Sequence, residues 1–188
     1  LYFGVLGAFV NAFLAINYLG NFSLYFGQMF VLFCLVTRGL NAALFTVLIT
    51  STVAAIYAND PYLICIYTLE MLVVHLCLRK GYFLFESAIG YWLLVGTPLL
   101  FTLYALTSLE SIEFLFISGV TRALNGLICV SLVAIVCWFI PANRIHFRYN
   151  ATSPKFSSLI YSLCMLTVTL PALVVALFFI WQSATSNE

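Results

Sequence analysis

Charge is what this sequence has least of. Its 188 residues include 7 Lys and Arg and 6 Asp and Glu; 7% are charged and 64% hydrophobic, with a mean hydropathy of +1.13. A soluble domain carries about 25% charged residues, so the composition is that of an integral membrane protein. No basic run exists that could bind nucleic acid, and a net charge of +1 says nothing about other partners. Catalytic signatures are also lacking. There is no H-E-x-x-H, no G-x-S-x-G, no Walker loop and no paired-carboxylate motif. No catalytic residue, cofactor or metal is therefore expected, and any catalytic module would lie outside this stretch. The six cysteines (Cys34, Cys65, Cys77, Cys129, Cys137 and Cys164) form no C-x-x-C pair and all fall in apolar runs, where free thiols behave as small apolar residues. Leu1–Leu19 lacks the basic start of a signal peptide. The chain opens inside one apolar run and closes at Glu188 soon after another, so it is expected to be a segment of a longer protein.

What is present is a series of apolar runs near the ~20 residues that a membrane helix needs. The first is Leu1–Leu19, interrupted by Asn11 and Asn17. The second, about Leu24–Val36, is short, and Asn21–Tyr25 before it is expected to dip into the membrane. The third is Leu40–Tyr57. Asp60 and Pro61 suit the cap and first turn of a fourth, which runs to about Leu78. The fifth spans about Leu84–Leu106, with Pro98 as an expected kink. Ser108–Glu113 is a polar loop. The sixth is Phe114–Ile140, stopped by Pro141, and the seventh is about Ser158–Trp181. The predicted fold is all-α, a polytopic membrane bundle of about seven transmembrane helices. It comprises a six-helix core over residues 1–140, a basic cytoplasmic loop over 141–157, and a seventh helix over 158–188 leading to the extracytoplasmic side.

Lysine and arginine in short loops set orientation. With the N-terminus cytoplasmic, Arg38, Arg79, Lys80, Arg144, Arg148 and Lys155 all fall inside. Asp60, Glu110 and Glu113 fall outside. The exception is Arg122, within the sixth run in Gly119-Val-Thr-Arg-Ala-Leu-Asn-Gly126. A charge at membrane depth costs ~2.5–3.5 kcal/mol or more, so it is expected to face the protein interior and be paired. Asn125 and Thr121 lie on its side of the helix, and Gly119 and Gly126 would admit a close neighbour. Glu70 lies ~14 Å and Arg122 ~12 Å from the outer ends of their helices. The two are expected to pair, with Asn125, Thr68 and Asn11 in a shared wall. Glu70, Arg122, Asn125, Thr121 and Asn11 are thus the candidate ligand-binding residues. Three roles stay open for the pair: a register staple, a site for a polar head group, or part of a proton or ion path. Glu86 is expected to neutralise Arg79 or Lys80. Tyr91, Trp92 and Trp181 are expected as interfacial anchors. Tyr18, Tyr25, Tyr57, Tyr62 and Tyr104 are expected near outer helix ends, as belt residues or as walls of a pocket.

Several short motifs carry a resemblance: Tyr2-Phe-Gly4, Phe26-Gly-Gln-Met-Phe30 with Arg38-Gly39, Tyr67-Thr-Leu-Glu70 leading to Leu78-Arg-Lys80, Gly96-Thr-Pro98, and Asn125-Gly126 leading to Pro141. The pattern resembles the multi-helix sensor regions of bacterial signalling proteins, chiefly sensor histidine kinases and diguanylate cyclases, over nearly the whole chain. That resemblance implies an inner-membrane receptor region and a small, partly apolar ligand. It also implies a last helix leading into an extracytoplasmic domain, with a kinase or cyclase output beyond it. The expected partners are the bilayer, the ligand and a second copy of the chain. The six-helix core also looks like the substrate-binding subunits of energy-coupling-factor vitamin transporters, an analogy of architecture alone.

Overall fold

A computed structural model describes residues 2–13, 16–18, 22–107 and 112–140, with isolated residues between 160 and 178. The loop 141–157 lies outside the described residues, as does most of the seventh run. Those of its residues that are described, Val168 and Thr169 among them, are helical.

The chain is a helical bundle. Its elements are α1 (Tyr2–Phe13), the strands β1 (Ile16–Tyr18) and β2 (Phe22–Leu24), α2 (Gly27–Arg38), α3 (Leu40–Ala58), α4 (Tyr62–Arg79), α5 (Leu84–Tyr91), a π-helical turn (Trp92–Gly96), α6 (Thr97–Thr107) and α7 (Ile112–Trp138). Four stretches are long and apolar enough to cross a membrane: Leu40–Ala58, Tyr62–Arg79, the continuous Leu84–Thr107, and Ser118–Trp138.

The bundle is apolar outside as well as inside, with a minority of polar side chains in its core. Phe9, Phe13, Phe45, Ile56, Leu93 and Leu94 are exposed, while Asn11, Gln28, Thr50, Ser51, Glu70 and Asn125 are buried. Such an apolar exterior would aggregate in water and fits lipid. In α3 the inward residues are mostly small or hydroxylated: Ala43, Thr46, Val47, Thr50, Ser51, Ala54 and Ala55. They let α1, α2 and α4 pack closely around it. Thr46, Thr50 and Ser51 each donate to a carbonyl one turn back, on Ala42, Thr46 and Val47, so their hydroxyls carry no unmet bond into the apolar interior.

Punctuation falls where backbone chemistry demands it. Gly39 (φ 87°) separates α2 from α3 and donates to Leu35 O; Asn59 (φ 51°) closes α3 in the left-handed conformation. Pro98 has no N–H for the carbonyl one turn earlier. Just before it the helix widens, and Thr97 N–H reaches back five residues to Trp92 O.

The first apolar run is not one helix. α1 ends at Phe13, and β1 pairs antiparallel with β2 in the register Ile16↔Leu24, Asn17↔Ser23, Tyr18↔Phe22. A chain that leaves helical geometry inside a bundle must satisfy its polar backbone elsewhere. The strand pair does part of this, and two asparagines bond two further backbone groups, Gly27 N–H and Tyr25 O.

Candidate functional site

Those asparagines bracket the break. Asn11 on α1 accepts the Gly27 N–H (2.7 Å) and donates to Thr50 O (3.0 Å). Asn125 on α7 donates to Tyr25 O (3.0 Å), with the Cys129 thiol at 3.7 Å from the same carbonyl. Gly27 begins α2, ~16 Å along the axis from Arg38, about half the thickness of a bilayer core. A Cβ at Gly27 would overlap the Asn11 amide, so glycine is what lets Asn11 reach the backbone.

Beside this break lies Glu70, 0% exposed. Its carboxylate accepts Trp92 Nε1–H (2.9 Å) on one oxygen and Gln28 Nε2–H (3.0 Å) on the other. This ties α2, α4 and the π-helical turn together. Trp92 fits beneath α7 because position 126 is glycine; a Cβ there would overlap the indole. Gly119, by contrast, meets only Thr97 Cγ2 at ordinary contact distance. Tyr91 and Trp92 are both 1% exposed, and Tyr91 donates to Ile66 O (2.7 Å). The interfacial role expected for these two is corrected: their polar tips find partners in the bundle interior. Trp181 lies outside the described residues.

The expected Glu70–Arg122 pair is also corrected. Arg122 Nη2 lies 3.2 Å from Asp60 Oδ2, with side chains 12% and 11% exposed. Asp60 sits in the α3–α4 turn. Its Oδ1 accepts the Tyr62 N–H (3.1 Å) and its Oδ2 also accepts the Tyr104 hydroxyl. Tyr62 and Tyr104 stack edge to face at 6.0 Å. The physical reason is reach: a long cationic side chain extends toward the end of its helix and meets the acid there. Asp60 thereby fastens the α3–α4 turn to α6 and α7. Glu86, expected beside Arg79 or Lys80, instead accepts the Phe83 N–H (3.4 Å) at the start of α5.

Several buried polar atoms near these residues have no partner among the described residues. Buried and unbonded are Tyr25 OH, Tyr67 OH, Thr68 Oγ1, Arg122 Nε and Asn125 Oδ1. Tyr67 lies on α4, Arg122 and Asn125 lie on α7, and Asn125 is bonded to the Tyr25 carbonyl just before α2. Each unbonded buried group costs about 1–3 kcal/mol. Of the candidates expected from sequence, Arg122 and Asn125 contribute to this set. Glu70 borders it with both oxygens bonded. Thr121 is buried on α7. Asn11 has its amide bonded to backbone on α2 and α3. Sequence reasoning missed Asp60, Gln28, Trp92 and Tyr67. Gln28 and Trp92 could have been found by depth, since both lie near the level of Glu70 when counted from the helix ends at Arg38, Arg79 and Leu84.

Comparisons with protein-family models, curated proteins and solved structures give no match.

Proposed function

We propose that the chain is the membrane-embedded sensory region of a bacterial inner-membrane signalling receptor of the histidine-kinase type, binding a small, partly apolar ligand. One observation carries the reading: Tyr25 OH, Tyr67 OH, Arg122 Nε and Asn125 Oδ1 are buried and unbonded, while the Glu70 carboxylate on α4 has both oxygens bonded. A register staple would be expected to satisfy its own polar atoms, whereas a binding site keeps a few free for its ligand. The link to a kinase output rests on the sequence resemblance.

The reading includes seven crossings with the N-terminus cytoplasmic. α1 (~18 Å) followed by β1 (~10 Å) approaches a bilayer core of ~30 Å, as does β2 followed by α2. Ligand binding would favour one helix arrangement only through different affinity for two states. Replacing residues 1–188 of the full-length receptor by an unrelated membrane anchor tests it. Loss of stimulus-dependent autophosphorylation supports a sensor; an unchanged response leaves only an anchor.

A second reading, the substrate-binding subunit of a vitamin-type transporter, is favoured by the interruption between α1 and α2 at mid-membrane depth, a feature common where transporters bind substrate. Substrate uptake by cells expressing the chain with its partner subunits, and no effect on phosphorylation, would decide for it.

A further inference from the structure

The atoms left unbonded define what the site can hold. Arg122 Nε–H can only donate. Asn125 Oδ1 can only accept, and the bond from the amide nitrogen to Tyr25 O fixes which end of the amide is the oxygen. The hydroxyls of Tyr25 and Tyr67 can do either. A ligand must therefore bring at least one acceptor and one donor.

Charge narrows the class. The Arg122 guanidinium already faces the Asp60 carboxylate, and both Glu70 oxygens already hold N–H donors. An anionic head group would have to compete with Asp60 for Arg122, and a cationic one would have to displace Gln28 or Trp92 from Glu70. A buried charge without a counter-charge is far more costly than a buried neutral group with matched hydrogen bonds. We infer that the site recognises a neutral amphipath whose head carries a carbonyl oxygen next to an N–H or O–H, such as a carboxamide, with its carbonyl on Arg122 Nε–H and its donor on Asn125 Oδ1. This deepens the sensor reading and rests on it in placing the ligand at the same cluster.

The test uses the 188-residue chain in lipid nanodiscs and four probes of equal chain length: octanamide, methyl octanoate, octanoate and octylammonium. Binding is measured calorimetrically against protein-free discs. Octanamide is expected to bind saturably and at least tenfold more tightly than the other three. Tyr67→Phe, which removes only an unbonded hydroxyl, and Arg122→Lys, which keeps a cation for Asp60 but lacks Nε, should each weaken octanamide at least fivefold. Tighter binding of octanoate or octylammonium would overturn the neutral class while leaving a ligand site, and so the sensor reading, intact. Octanamide binding unchanged in both variants would overturn the site, as would binding of no probe above protein-free discs. The sensor reading is judged separately, by the anchor replacement.

Discussion

Two buried tyrosines on neighbouring helices should respond oppositely to the loss of one oxygen atom. Tyr67 is 2% and Tyr91 1% exposed. Tyr91 OH donates to Ile66 O at 2.7 Å, whereas Tyr67 OH has no partner. Tyr91→Phe removes a made bond, worth about 0.5–1.5 kcal/mol. The Ile66 carbonyl keeps its helical bond, so no acceptor is stranded. Tyr67→Phe removes a desolvated hydroxyl that gains nothing in return, relieving a cost of about 1–3 kcal/mol. In the ligand-free chain Tyr67→Phe should therefore stabilise by ~1 kcal/mol or more and Tyr91→Phe destabilise by ~1 kcal/mol. For chains of this size that separates their midpoints by several degrees, on the order of 2–4 °C per kcal/mol. Denaturant or thermal unfolding of both variants in the same detergent measures it. Destabilisation by Tyr67→Phe as large as that by Tyr91→Phe would refute the argument, because it would mean the hydroxyl is bonded without a ligand. Stabilisation joined to weaker octanamide binding is the expected mark of a group kept for a ligand at the expense of the fold.

The remaining predictions concern the knots around the site and the topology. A double-mutant cycle should give Asp60 and Arg122 a coupling of about 1 kcal/mol, since the pair is partly solvated, and Glu70 with Arg122 much less; the reverse ranking would restore the pairing expected from depth alone. Gly126→Ala should destabilise by about 1–3 kcal/mol through collision with the Trp92 indole, and Trp92→Phe in the same chain should recover part of the loss; equal stability of the single and double variants would remove the indole as the cause. In a cysteine-free background, Pro61→Cys should be labelled by an impermeant reagent from outside and Lys80→Cys only after permeabilisation. Labelling in the opposite sense would invert the orientation.

Much of the bundle was legible in the sequence because membrane helices answer to length and apolarity, which are local quantities. The runs at Leu40–Tyr57, at Pro61 to Leu78, and at Leu84–Leu106 correspond closely to helical stretches of the structure. Gly39 and Asn59 fall where helices stop, and Pro98 lies next to the widened turn. The cost of burying Arg122 and Glu70 was also legible, since it depends on charge and depth alone.

Which groups meet that cost was decided only by tertiary structure. Arg122 reaches up to Asp60 because a long side chain can move its charge several ångströms from its Cα, so depth counted along the backbone misplaces it. Glu70 takes Gln28 and Trp92 because the helix widens before Pro98 and Gly126 leaves room for the indole. Asn11 and Asn125 serve the Gly27 N–H and the Tyr25 carbonyl because the chain leaves its helix there. Sequence by itself determined that this is a membrane bundle with polar groups that must be matched. The matching depends on where distant backbones break and approach, and only the packed helices determine that.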